Sequence, residues 1–150
     1  VRSGAIGRDP NQFTNAEGNL LNDRTHTFIL TGTYEFPGIE LLIGANYRYF
    51  TGKPWASQAR PRLPQGRQTI YLEPLGSRRL SSQNNLDLRV SKIFRFGEAG
   101  KFEIFADILN VLNETAEEDI ASRNAFSSNL GVGNRWVDPR RAFIGVKVAY

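Results

Sequence analysis

The chain has 150 residues, 40% of them hydrophobic and 23% charged, which is too apolar for wholesale disorder. No run approaches the roughly 20 consecutive apolar residues of a transmembrane helix, and with no cysteine neither a disulfide framework nor a thiolate metal site is available. The net charge of +4 does not point to nucleic acid, because the basic residues are scattered, and Arg60, Arg62 and Arg67 sit among prolines and glycines with few aromatics between them.

Two-residue alternation dominates, in segments of about ten residues. From His26 to Phe36, the residues Phe28, Leu30, Tyr34 and Phe36 face away from Thr27, Thr31, Thr33 and Glu35. Pro37-Gly38 then makes a turn, because proline presets φ and glycine tolerates a positive one. Ile39 to Phe50 alternates more cleanly, with Ile39, Leu41, Ile43, Ala45, Tyr47 and Tyr49 on one face. Thr51 to Asn85 has no sustained period and is read as a long irregular loop, with a small strand at Ile70, Tyr71 and Leu72. Leu86 to Phe96 returns to alternation; Lys92 falls on its apolar face, where it is expected to snorkel at a membrane edge.

Gly97-Glu98-Ala99-Gly100 is a compact turn. Phe102 to Leu112 follows as a strand whose polar face is mixed, since Phe105 and Leu109 share it with Glu103 and Asp107. Its length and the turn before it favour a strand over an amphipathic helix. Asn113 to Asp138 is a second irregular stretch, and Arg140 to Tyr150 closes the chain with Ala142, Ile144, Val146, Val148 and Tyr150 on one face.

The expected fold class is therefore all-β: an antiparallel, up-and-down transmembrane β-barrel fragment. It has about five strands, near 26–36, 39–50, 86–96, 102–112 and 140–150, joined alternately by short turns and long loops. Their lengths suit the ~9–11 residues of a tilted membrane-spanning strand. Hydrocarbon offers no hydrogen bonds, so a spanning sheet must close, and known barrels start at about eight strands. Five strands are a piece of a wall. With no methionine and no visible signal peptide after Val1, the chain is expected to be a fragment or a mature C-terminal portion.

Several segments resemble the C-terminal region of TonB-dependent receptor-like proteins, in particular the Oar-like group with an N-terminal carboxypeptidase-regulatory-like domain. They are Asn22-Asp23-Arg24-Thr25-His26, Tyr47-Arg48-Tyr49-Phe50-Thr51-Gly52-Lys53-Pro54, and Glu73-Pro74-Leu75-Gly76-Ser77-Arg78-Arg79-Leu80. Leu86-Asp87-Leu88-Arg89-Val90-Ser91-Lys92, Phe105 to Asn113 and Val137-Asp138-Pro139-Arg140-Arg141 continue the series, so the resemblance runs from about Asn22 to Tyr150. The last strand looks like the assembly signal of such barrels in Gly145, Val148 and terminal Tyr150, although Phe143 stands where the family prefers a polar residue. The resemblance implies a receptor and active importer in the cell outer membrane. Its partners would be outer-membrane lipid, the barrel-assembly machinery, the remainder of its own barrel and plug, and the TonB complex through a missing N-terminus. A passive porin-like channel and a soluble β-sheet binding or adhesion module are the alternatives.

Candidate sites are few. Trp55, Arg60, Tyr71 and Trp136 lie in the long loops and are candidate ligand anchors, or aromatics at a membrane interface. Glu114, Glu117, Glu118 and Asp119 form an acidic cluster without the Asp-x-Asp-x-Asp-Gly frame of a calcium loop, so a solvated loop is expected and no metal site. The single histidine, His26, has no nearby nucleophile or ligand pair, and Gly131-Val132-Gly133-Asn134 lacks the strand-to-helix setting of a phosphate loop. Neither catalytic residues nor a cofactor are expected. Arg48, Arg89, Arg141, Glu40, Asp87 and Asp107 are candidates to line a permeation path, but pairing across neighbouring strands inside a plugged, hydrated barrel is the expectation.

Overall fold

The computed structural model describes residues 10–64, 66–97 and 100–149. In chain order its strands are β1 (Thr27–Phe36), β2 (Leu41–Phe50), β3 (Pro54–Trp55), β4 (Gln58–Ala59), β5 (Arg62–Leu63), β6 (Gly66–Arg67), β7 (Ile70–Tyr71), β8 (Arg78–Arg79), β9 (Gln83–Arg95), β10 (Lys101–Leu109), β11 (Glu117–Ile120), β12 (Gly133–Trp136) and β13 (Arg141–Ala149). One 3-10 turn, Pro10–Phe13, precedes them. The protein is all-β, and every strand pair among the described residues is antiparallel.

The chain divides into two units. The sheet unit takes in His26–Phe50, Gln83–Thr115 and the residues from Val137 onward. Its five long strands form one sheet in the order β1-β2-β9-β10-β13, so each strand lies beside the next long strand in sequence. These stretches are rich in Phe, Tyr, Ile, Val and Thr, residues that fit a pleated surface. The sheet remains open, with β1 and β13 as its edges, and no closed barrel forms among the described residues.

Turn chemistry sets where the strands begin and end. Gly38 and Glu40 take positive φ, +87° and +50°, which delays β2 to Leu41. Asn110 at +51° stops β10 three residues before the sequence pattern ends, and asparagine tolerates that region better than most residues. β9 begins earlier than alternation indicates, because Gln83, Asn84 and Asn85 pair through their backbones with Phe50, Tyr49 and Arg48. Of the turn at Gly97 to Gly100, Glu98 and Ala99 lie outside the described residues, as does terminal Tyr150; the Phe96 amide donates to the Gly100 carbonyl at 2.9 Å.

The loop unit comprises the described residues up to Thr25, Thr51–Ser82 and Ala116–Trp136. Two stretches expected to be irregular are folded here. β3 pairs with β8, β4 with β7, β5 with β6, and β11 with β12. The pairs β3–β8, β4–β7 and β5–β6 are two residues long, too short to leave any period in the sequence. Backbone bonds between distant segments hold them: the Gln58 amide donates to the Arg123 carbonyl at 2.8 Å and the Ala125 amide to the Gln58 carbonyl at 2.9 Å. A Cβ on Gly52 would run into the Leu80 carbonyl, so close approach of two backbones requires glycine there.

Candidate functional site

The sheet carries two chemically distinct faces. Cross-strand register aligns Tyr34 with Ile43, Ile43 with Val90, Val90 with Ala106 and Ala106 with Ile144. Phe36, Leu41, Lys92, Ile104 and Val146 form the adjacent row. The result is an apolar face that continues over all five strands. Much of it is exposed, from Phe28, Leu30 and Tyr34 on β1 to Ile144 at 82% and Val148 at 70% on β13. Lys92, the cation on this face, donates its ammonium to the Ile39 carbonyl and lies 5.7 Å from the Phe94 ring centroid, beside the β1–β2 turn.

The opposite face is polar, with ion pairs that step across the strands. Arg48 on β2 meets Asp87 on β9 at 2.6 Å, and Arg89 on β9 donates to Asp107 on β10 at 3.1 Å. Glu103 on β10 meets Lys147 on β13 at 3.6 Å. Pairing of this kind contributes up to about 1 kcal/mol each at a hydrated surface. Glu40 pairs with Arg95 at 2.9 Å, whereas Arg141 takes Asp138, three residues away, and no carboxylate across the sheet among the described residues. Alternation places Phe105 on this polar face, where Gly145 stands directly opposite and leaves room for the ring. The ring covers the glycine, so a Cβ at Gly145 would strike it, and Arg89 and Lys147 lie 4.5 and 5.2 Å from its centroid. Val148 belongs to the exposed apolar face; the third residue of the expected assembly signal, Tyr150, is outside the described residues.

Asn110 is a node that the sequence did not reveal. It is 2% exposed, and its backbone amide donates to Asp87 at 2.9 Å. Its side-chain amide donates to the Glu114 and Asp138 carbonyls at 3.1 and 2.7 Å and accepts from the Glu114 amide at 2.8 Å. The chain segment leaving β10 and the one entering β13 are thereby tied together. Asparagine pairs just past a strand, here Asn110 and Asn113, are the signal, since both take positive φ.

In the loop unit the candidate anchors separate. Trp55 is 7% exposed and belongs to the core with Ala56, Ala59, Ala116 and Ile120. Arg78 lies 5.1 Å from its ring centroid, and Gly131 sits against its indole edge. Glu73 secures this core by accepting from the Ser57 amide at 2.6 Å and from Arg78 at 2.8 Å. Partial burial opposes ionisation of Glu73, but the Ser57 amide and the Arg78 guanidinium outweigh it and hold its carboxyl below the ordinary value. The Asn15 side chain donates to the carbonyl of half-buried Tyr71, and Trp136 is exposed on β12. Arg60 is placed elsewhere. With Gln58, Arg67, Ala121, Ser122, Arg123 and Asn124 it lines a hollow of ≈ 570 Å³.

The acidic residues 114–119 do not converge. Glu114 accepts from the Asn84 amide, Glu118 pairs with Arg135, and Asp119 pairs with Arg123. The Ser81 hydroxyl, with backbone amides, keeps Glu117 below the ordinary carboxylate value. No group of three or more metal-ligating side chains occurs among the described residues. His26 immediately precedes β1, and Gly131–Asn134 runs into strand β12, with no helix after it. No helix among the described residues is long and apolar enough to cross a membrane, which bears on helices alone. No protein-family model matches the chain, and neither does any curated protein or solved structure.

Proposed function

We propose that the chain forms part of the wall of an outer-membrane β-barrel in a TonB-dependent receptor-like protein, and serves the uptake of a substrate met by its long connections. The observation that carries this reading is the continuous apolar face of the five-stranded sheet, exposed on every strand while the opposite face is ion-paired. Soluble monomers rarely expose a contiguous apolar patch beyond a few hundred Å². Hydrocarbon is the solvent that matches it. Strand lengths of 10, 10, 13, 9 and 9 residues fit a tilted span of the bilayer. Phe50, Gln83, Leu109 and Arg141 lie at one end of the sheet, so both long connections leave from that end and both short turns from the other. Outer-membrane barrels sort their connections in this way, with the long ones outside the cell.

Refolding the complete parent barrel with phospholipid vesicles and floating them on a density gradient tests the reading. The barrel is expected to travel with the lipid and to resist extraction by alkaline carbonate. A water-soluble parent that ignores lipid would make the chain part of a soluble binding module instead. Solute flow through the parent barrel without energy input would favour the porin-like channel.

A further inference from the structure

We infer that the hollow in the loop unit is a binding site for a multivalent anion bearing phosphate or carboxylate groups. Three of its seven lining side chains, Arg60, Arg67 and Arg123, are guanidinium groups, and none is a carboxylate. Arg123 is partly neutralised by Asp119 at 2.9 Å. Arg60, Arg62 and Arg67 have no carboxylate partner among the described residues, whereas eight other arginines each meet one. Arg62 and Arg67 are moreover placed directly opposite each other across the β5–β6 pair, an arrangement of like charges that is unfavourable until an anion joins it.

The neutral lining supports the same chemistry. The Ser122 hydroxyl oxygen accepts from the Asn124 amide, and the Asn124 side-chain oxygen accepts from the Phe126 amide. Both oxygens accept internally, so the Ser122 hydroxyl proton and the Asn124 side-chain amide NH2 remain to donate to a ligand. Gln58 is fixed beside them by backbone bonds to Arg123 and Ala125. A hollow lined by donors and planar guanidinium forks suits paired anionic oxygens. The volume of ≈ 570 Å³ admits a ligand larger than a single phosphate ion.

As a statement about what the receptor captures, this inference rests on the proposed function; as a statement about binding, it is measured without any membrane. Titration calorimetry of the full chain with sodium tripolyphosphate is expected to show binding. The double variant Arg60→Gln, Arg67→Gln should weaken it by about tenfold or more, and Arg135→Gln, whose partner is Glu118, should leave it unchanged. Titration with a water-soluble short-chain phosphatidic acid separates the two sources of such groups. Binding of tripolyphosphate identifies a free anion; binding only of the phosphatidic acid, lost in the double variant, identifies a lipid headgroup. A second readout needs no variant: tripolyphosphate should protect Arg60 and Arg67 from phenylglyoxal, seen by peptide mass. Absence of binding in both arms, or equal loss in Arg135→Gln, overturns the inference. Failed vesicle insertion of the parent barrel with tripolyphosphate binding intact overturns the barrel reading alone.

Discussion

The two units of this protein invert the usual relation between regular structure and core. The sheet unit holds the long strands and the clean alternation, yet the buried apolar residues Trp55, Ala56, Ala59, Ala116 and Ile120 all belong to the loop unit. In the sheet unit the buried residues are polar: Gln83, Ser91 and Asn110. A water-soluble sheet would bury its apolar side against a second layer. Here that side is exposed, and the connections, in which sequence shows no pattern, pack around a tryptophan. The lesson concerns solvent: alternation reports two media on the two sides of a sheet, and one of those media need not be protein.

The largest expected effect separates the units by mutation. Trp55→Ala should cost the loop unit about 3–5 kcal/mol and open Thr51–Ser82 to proteolysis. Ile144→Ala, on the exposed face, should change stability in water by less than about 0.5 kcal/mol. Comparable losses in thermal melts would erase the contrast. Asn110→Ala should follow at about 2–3 kcal/mol, because the Glu114 and Asp138 carbonyls and the Glu114 amide lose their side-chain partner and alanine must hold a φ of +51°. Its signature is destabilisation of the sheet unit, read by amide hydrogen exchange in β10. Gly145→Ala should cost about 1–3 kcal/mol by displacing the Phe105 ring, and much of that should vanish in a Phe105→Leu background.

The smallest effect depends on pH. Glu73 has a folded pKa below its ordinary 4.5, so its ionised form stabilises the loop unit above that value, and the contribution is lost as pH falls through the lower, folded pKa. Glu73→Gln should therefore melt below the parent at neutral pH, and the gap should close in acid. A gap that persists at low pH would remove the assigned role of the carboxylate.

What was legible follows from the same physics. The five long strands were readable because each repeats a two-residue pattern often enough to outweigh single exceptions such as Lys92 and Phe105. Those exceptions are explained by neighbours that are distant in sequence, Ile39 and Gly145. Of the eight short strands among the described residues, β7 was expected, at Ile70–Leu72; the others were illegible because two to four residues cannot display a period, and most of their partners lie far along the chain. Among the candidate anchors, residue type alone did not separate Trp55, which is buried, from Arg60, which lines the hollow. The opposition of Arg62 and Arg67 likewise required the hairpin register.

The central claim, that the apolar face meets lipid, is tested most directly by single cysteines placed along β13, since the chain has none of its own. Cysteines replacing Phe143, Ile144, Val146, Lys147 and Val148 in turn would be labelled in the vesicle-bound parent barrel with a water-soluble maleimide. A fluorophore at each site would then be quenched by brominated lipid. Protection and lipid quenching are expected at Ile144, Val146 and Val148, with labelling from water at Phe143 and Lys147. Uniform labelling along the strand, or lipid quenching without a two-residue period, would contradict the account.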